Sequence, residues 1–165
     1  KITSKQEVEN YMHSLGIGGI RIGATEAEMH ADRKAQYADW AEPAGLLKLL
    51  DITWNGKLWA KSSKDYLWKI MTETTTAAKR IKGLLPAGTV VAHKSGSSDT
   101  NAAGLSPATN DIGIISLPNG KHLAIVVMVC NSAADTGVRE AVIARIARAA
   151  YDFYNSRNVA MDGFR

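Results

Sequence analysis

The sequence predicts a mixed α/β fold of the α+β kind, in which antiparallel strands are flanked by helices. Three observations carry this. Apolar residues recur at helical spacing in several short runs before Leu84. Three β-rich runs follow between residues 89 and 130, two of them joined through Asn119-Gly120, a strong hairpin signal. A long helical pattern then closes the chain. Three strands and one hairpin cannot bury both faces of a sheet alone, so helices must cover one face. Nothing obvious covers the other.

Taken in order, Glu7 to Leu15 reads as a short helix, with Val8, Tyr11, Met12 and Leu15 on one side. Gly16, Gly18 and Gly19 end it without forming a dinucleotide-loop pattern. Arg21 to Asp39 lacks sustained periodicity and reads as a long ordered loop, a feature that is uncommon in compact domains and often functional. Pro43 suits a first helical turn, and Ala44 to Leu50 carries the apolar repeat. Asn55-Gly56 marks a turn. Ser62 or Ser63 is placed to cap a helix from Lys64 to Glu73. Thr74, Thr75 and Thr76 interrupt it, a further short helix runs to about Leu84, and Pro86 and Gly88 break the chain.

The period then changes. Thr89 to Ser95, Asp111 to Leu117 and His122 to Val129 are the strand candidates, the last two joined through Pro118-Asn119-Gly120-Lys121. Asp135 to Tyr154 is a long helix, and the tail after Asn155 is expected to fray. There are no repeats and no clear linker. The chain therefore divides into helices and a loop over residues 1–88, strands over 89–130 and a closing helix over 135–155.

Composition narrows the function classes. Of 165 residues, 45% are apolar and 22% charged, which fits a soluble globular domain and not a disordered or fibrous chain. The net charge of +4 is scattered, with no basic patch or reading motif, so a nucleic-acid surface is not supported. The longest apolar run, Leu123 to Cys130, is far too short to span a bilayer. The single Cys130 excludes an internal disulfide and reads as a buried small hydrophobe. One cysteine and four dispersed histidines without a His-Glu-x-x-His pattern argue against zinc.

The most informative stretch is Val90-Val91-Ala92-His93-Lys94-Ser95-Gly96-Ser97-Ser98. A strand ending in Lys-Ser-Gly sets an ammonium, a hydroxyl and a backbone without Cβ side by side. Lys94 and Ser95 can hold a carboxylate by charge and hydrogen bond, and Gly96 lets a ligand approach the main chain. Read singly, each of these residues has a plain structural meaning. Lys94 suits an edge strand that discourages aggregation, Arg80 a surface charge, Glu26 a solvated loop carboxylate, and His30 and His93 ordinary hydrogen-bonding residues.

Their joint order resembles the class A serine β-lactamases, whose Lys-Thr/Ser-Gly element lies on such a strand. Thr74-Thr75-Thr76, Arg80, Gly83-Leu84-Leu85-Pro86-Ala87-Gly88-Thr89, His93-Lys94-Ser95-Gly96, Ala108-Thr109-Asn110-Asp111-Ile112-Gly113 and the Pro118-Asn119-Gly120 hairpin follow the family's order. Glu26-Ala27-Glu28-Met29-His30-Ala31-Asp32, with Tyr37 and Trp40 after it, resembles the loop of the extended-spectrum branch that includes PER-type and Bacteroides-type enzymes. The resemblance implies the serine β-lactamase and penicillin-binding transpeptidase-like fold, with this loop as its Ω loop.

It also implies roles. Glu26 would be the general base for the deacylating water, and His30 would share that water where most relatives use Asn. Arg80 would hold the substrate carboxylate, because Thr109 stands where many relatives place an Arg. Lys94, Ser95 and Gly96 would form the strand edge, Ser97 N–H would be an oxyanion donor, and Thr76 would line the carboxylate pocket. Ala24 replaces the Arg that usually opens the loop, so the common clamp to Asp39 would be absent. No metal or organic cofactor is implied, and the family's export implies a periplasmic location.

The family needs Ser-x-x-Lys and Ser-Asp-Asn. No serine here has lysine three residues on, and Ser-Asp-Asn does not occur. The resemblance therefore implies that the nucleophile comes from a separate N-terminal polypeptide, whose helices would cover the open sheet face, and that this chain alone is inactive toward a β-lactam. Two rivals stand beside this reading. A penicillin-binding D,D-peptidase shares Lys-Ser/Thr-Gly, although the Glu26 loop argues against it. An inactive ligand-binding fragment is the other.

Overall fold

A computed structural model describes residues 4–56 and 59–162. It divides into two compact units, residues 1–52 and 53–165.

The first unit opens with α1 (Lys5–Ser14), which starts where Ser4 and Glu7 form a reciprocal capping box. After Gly16, in the left-handed region at φ 71°, the chain reaches β1 (Ile20–Arg21), paired antiparallel with β2 (Trp40–Ala41). The segment between these strands was expected as a long ordered loop without helices. It holds α2 (Glu26–Ala31) and a 3₁₀ helix at Arg33–Ala38. A helix of six residues is too short to show a period, but Thr25 and Glu28 form a second capping box that starts it. Glu42 N–H closes the small sheet by donating to Gly19 O at 2.7 Å. There α3 (Pro43–Asn55) begins, five residues longer at its C-terminal end than its apolar repeat predicted.

In the second unit α4 (Lys61–Glu73) starts before the expected serine cap. Ala60 holds the N-cap position with no side-chain hydrogen bond, and Ser62 and Ser63 lie inside the first turn. A turn with Ala77 at φ 52° leads to a 3₁₀ helix at Ile81–Leu84. The sheet follows as β3 (Val91–Ser97), β4 (Ser106–Ser116) and β5 (His122–Ser132), antiparallel in spatial order β3-β4-β5. β3 and β5 run past their predicted ends, and β4 begins five residues before its predicted start, which brings Gly96 and Ser97 into the ladder. Gly120, at φ 78°, makes the hairpin turn that aligns Ser116 with His122.

The closing helix, α5 (Thr136–Asp162), stays helical beyond Asn155, where fraying was expected. It covers one sheet face. Ile143, Ala147 and Tyr151 pack with Ile81, Val91, Ile115, Leu117, Ile125 and Val127 into the main core. Alternation along β5 points Ile125 and Val127 into that core and leaves Val126, Met128 and Cys130 on the opposite face. There Cys130, near the strand end, is exposed and not buried as its apolar neighbours suggested. The opposite face is not bare throughout, because Ala92 and Ile114 are buried on it. His122 lies at the other end of that face, its ring 4.4 Å from Trp54, which in turn lies 4.5 Å from Trp68 of α4.

Candidate active site

The β3 strand supplies the frame. Lys94, Ser95, Gly96 and Ser97 stand opposite Ile112, Asp111, Asn110 and Thr109 of β4. Just past the strand, Ser98 N–H turns inward to Ala108 O at 3.0 Å. Successive N–H groups of a strand point to opposite sides, so Ser97 N–H faces outward, away from β4. A Cβ built on Gly96 would meet nothing within 4 Å. Among the described residues β3 has no strand on its outer side, the sheet face at Gly96 is open beside the outward Ser97 N–H, and Lys94 Nζ folds back over that edge to Ser95 O at 2.6 Å.

The turn before the 3₁₀ helix brings its polar groups to the same place. Thr76 Oγ1 lies 3.0 Å from Thr74 Oγ1 and 3.5 Å from Ser95 Oγ. Lys82 Nζ donates to Thr72 O and Thr74 O at 3.1 and 3.4 Å, which ties the end of α4 to the turn. Arg80 lies under the hydroxyl group, only 5% exposed. Its Nη2 donates to Ser97 Oγ at 2.6 Å, Nη1 donates to Gly96 O and Asn110 O at 3.0 and 2.9 Å, and Nε faces Glu140 Oε1 at 3.3 Å. A guanidinium has five N–H groups. These contacts use four, and the fifth sits on Nη2 beside Ser97. Thr76, Arg80, Lys94, Ser95, Gly96 and Ser97 are therefore gathered at one strand edge.

Four supporting contacts were not legible beforehand. Glu140 of α5 faces Arg80, an approach across sixty residues that no local pattern announces. Thr109 accepts from Nε of the buried Arg139 at 2.9 Å. Asp111, fully buried, accepts from Ile81 N–H at 3.2 Å and faces His93 Nδ1 at 2.9 Å.

Glu26 and His30 belong to the first unit. They stand four apart on α2, hence on one helix face, and both are exposed. Glu28, in the same helix, meets Lys5 Nζ at 2.7 Å. Its carboxyl is lowered from its ordinary 4.5 to about 2, first by the hydrogen bond from Lys5 and then by those from the Thr25 backbone and hydroxyl. Among the described residues no group of three or more His, Cys, Asp or Glu is arranged to hold a metal ion, and no helix is long and apolar enough to cross a membrane.

Comparison with known proteins decides the family. The family model described as beta-lactamase enzyme family matches residues 1–154.

The chain belongs to the beta-lactamase enzyme family.

Within that family it is 42% identical over 155 residues to beta-lactamase VEB-1 of Pseudomonas aeruginosa, covering 93% of this chain and 52% of the relative. It is 45% identical over 146 residues to the extended-spectrum beta-lactamase PER-1 of the same species, covering 88% of this chain and 47% of the relative. The crystal structure of the TLA-1 extended-spectrum beta-lactamase matches with a TM-score of 0.90 at 49% identity, over 92% of this chain and 55% of that one. A class A beta-lactamase of Bacteroides cellulosilyticus also matches, with a TM-score of 0.89 at 38% identity over 93% of this chain and 55% of that one, and this chain shares the class A fold. It spans about half the length of the curated relatives it matches.

Proposed function

We propose that this chain forms the carboxylate-binding and deacylating part of an enzyme that hydrolyses β-lactam antibiotics through a serine acyl-enzyme. The nucleophile would come from polypeptide carrying Ser-x-x-Lys and Ser-Asp-Asn, neither of which occurs in this sequence. The observation that carries the reading is the β3 edge: an open sheet face at Gly96, an outward Ser97 N–H, and Arg80 beneath a group of hydroxyls.

The serine attacks the lactam carbonyl. Charge builds on that oxygen in the tetrahedral intermediate, and Ser97 N–H is one preorganised donor for it, worth about 2.7–4 kcal/mol of barrier. Lys94, Ser95 and Thr76 receive the carboxylate of the antibiotic, with Arg80 supplying charge from below and its remaining N–H. Glu26 takes a proton from a water held with His30, and that water cleaves the ester. This role requires the α2 carboxylate to meet the strand edge in the assembled enzyme. By the same reading the protein works in the periplasm.

The test is Glu26→Gln in protein reconstituted with a Ser-x-x-Lys polypeptide. Intact mass after mixing with nitrocefin should show a persistent adduct on the partner serine, while the parent turns over. Unchanged nitrocefin turnover by Glu26→Gln would remove Glu26 from the mechanism. Turnover by this chain alone would show that the nucleophile lies within it.

A further inference from the structure

We infer that His93 and Asp111, buried behind the site, are positioning residues that aim Arg80; the inference rests on the reading of Arg80 as part of a carboxylate site. Both side chains are fully buried. Asp111 on β4 links two separate pieces of the site. It accepts from Ile81 N–H, the residue directly after Arg80, and from His93 Nδ1, the residue directly before Lys94. Arg80 is thus held at both ends: its main chain through Ile81 and Asp111, its guanidinium through Gly96 O, Asn110 O and Ser97 Oγ.

The geometry also assigns the tautomer of His93. Nδ1 faces two carboxylate oxygens, at 2.9 and 3.0 Å, so Nδ1 carries the proton and donates. Nε2 is buried and has no partner among the described residues. An under-satisfied acceptor is more common in buried sites than an orphaned N–H, which agrees with a bare lone pair at Nε2. Gly113, opposite His93, lets the two strands approach closely there, since a Cβ on it would come within 2.8 Å of His93 Cβ.

Replacing the carboxylate separates positioning from bulk. Asp111→Ala removes both acceptors. In Asp111→Asn the amide oxygen still accepts from Ile81 N–H, and the amide N–H₂ donates to His93 Nδ1 once the imidazole has moved its proton to Nε2. The experiment uses the reconstituted enzyme with benzylpenicillin and with its methyl ester, which lacks the charge Arg80 would hold. Asp111→Ala should raise KM for benzylpenicillin about tenfold with kcat within about threefold, and should move KM for the ester much less; Asp111→Asn should recover most of the loss. Imidazole ¹⁵N shifts should show His93 as the Nδ1–H form in the parent and the Nε2–H form in Asp111→Asn. Equal effects on both substrates, or no recovery by Asn, would overturn the inference. If Asp111→Ala does not fold, the ¹⁵N spectrum of Asp111→Asn decides, and an unchanged tautomer overturns it. If the parent lacks β-lactam turnover, the proposed function fails. Slow hydrogen exchange at Arg80 Nε, retained in the parent and in Asp111→Asn, then still reads the positioning, and fast exchange in the parent overturns it.

Discussion

Asp39 accepts a hydrogen bond from the main-chain N–H of Ala24 at 2.7 Å. With Ala24 in the place of Arg, the clamp across this loop was expected to be lost. The carboxylate instead holds the main chain, and Gly23 beside it lets the two ends of the loop close tightly, since a Cβ there would lie 2.6 Å from Ala38 O. The loop keeps its closure through a backbone donor.

Asp39→Ala should leave that N–H without its partner in a residue only 5% exposed. The expected cost is about 1–3 kcal/mol. Urea unfolding and hydrogen exchange at Ala24 measure it, and Asp39→Asn, which keeps an acceptor oxygen, should lose less. Equal stability of Asp39→Ala and parent would show that the contact contributes nothing.

The Lys5–Glu28 pair makes the first unit sensitive to acid. Glu28 is lowered in the folded chain to about 2, so the unfolded chain binds this proton more tightly. The stabilisation is therefore complete above the ordinary value of 4.5 and is lost as pH falls toward about 2. The pair is exposed and screened by salt. Carboxyl ¹³C titration should place the Glu28 midpoint near 2, and Lys5→Met should bring it back up. A midpoint near 4.5 in the parent contradicts the pairing.

Arg80→Ala would strand Glu140 and two ladder carbonyls at a site where the arginine side chain is 7% exposed. Breaking such a pair by removing one partner costs about 3–5 kcal/mol. Arg80→Lys should recover only part of it, because one ammonium cannot reproduce the fork that spans Gly96 O, Asn110 O and Ser97 Oγ. Chemical denaturation of the three proteins provides the comparison, and full recovery by Lys would refute the fork argument.

Gly113→Ala places a methyl 2.5 Å from Ala92 O and 2.8 Å from His93 Cβ. The first neighbour is main chain and cannot rotate away, so β3 must shift. The expected destabilisation is about 1–3 kcal/mol, read as a lowered Tm together with altered amide shifts from Ala92 to Lys94. A neutral substitution would mean the sheet has slack at this point.

Much of this was legible in the residues. The change from helical spacing to β-rich runs located all three strands, and Asn119-Gly120 located the hairpin. The Lys94–Ser97 edge could be named from its strand and its Lys-Ser-Gly run, whereas Arg80 was named only through the family resemblance, since by itself it reads as a surface charge and it is in fact buried. Other features depended on weaker or longer-range signals. The helix α2 lacked a period, although Thr25-x-x-Glu28 announced its start. Cys130 was misjudged because an apolar run hides which face each residue takes once the strand is an edge. Glu140, Arg139 and the His93–Asp111 pair meet only through tertiary packing, so nothing in their own neighbourhoods marks them.

The strand β5 pairs with β4 and, among the described residues, with no strand on its other side. Its eight residues from Leu123 to Cys130 carry no charge and no proline. A row of vacant amides along such a run invites self-association, because any extended peptide can add to it. Handling this polypeptide by itself is thus a colloidal problem, governed by concentration and by whatever shields that border.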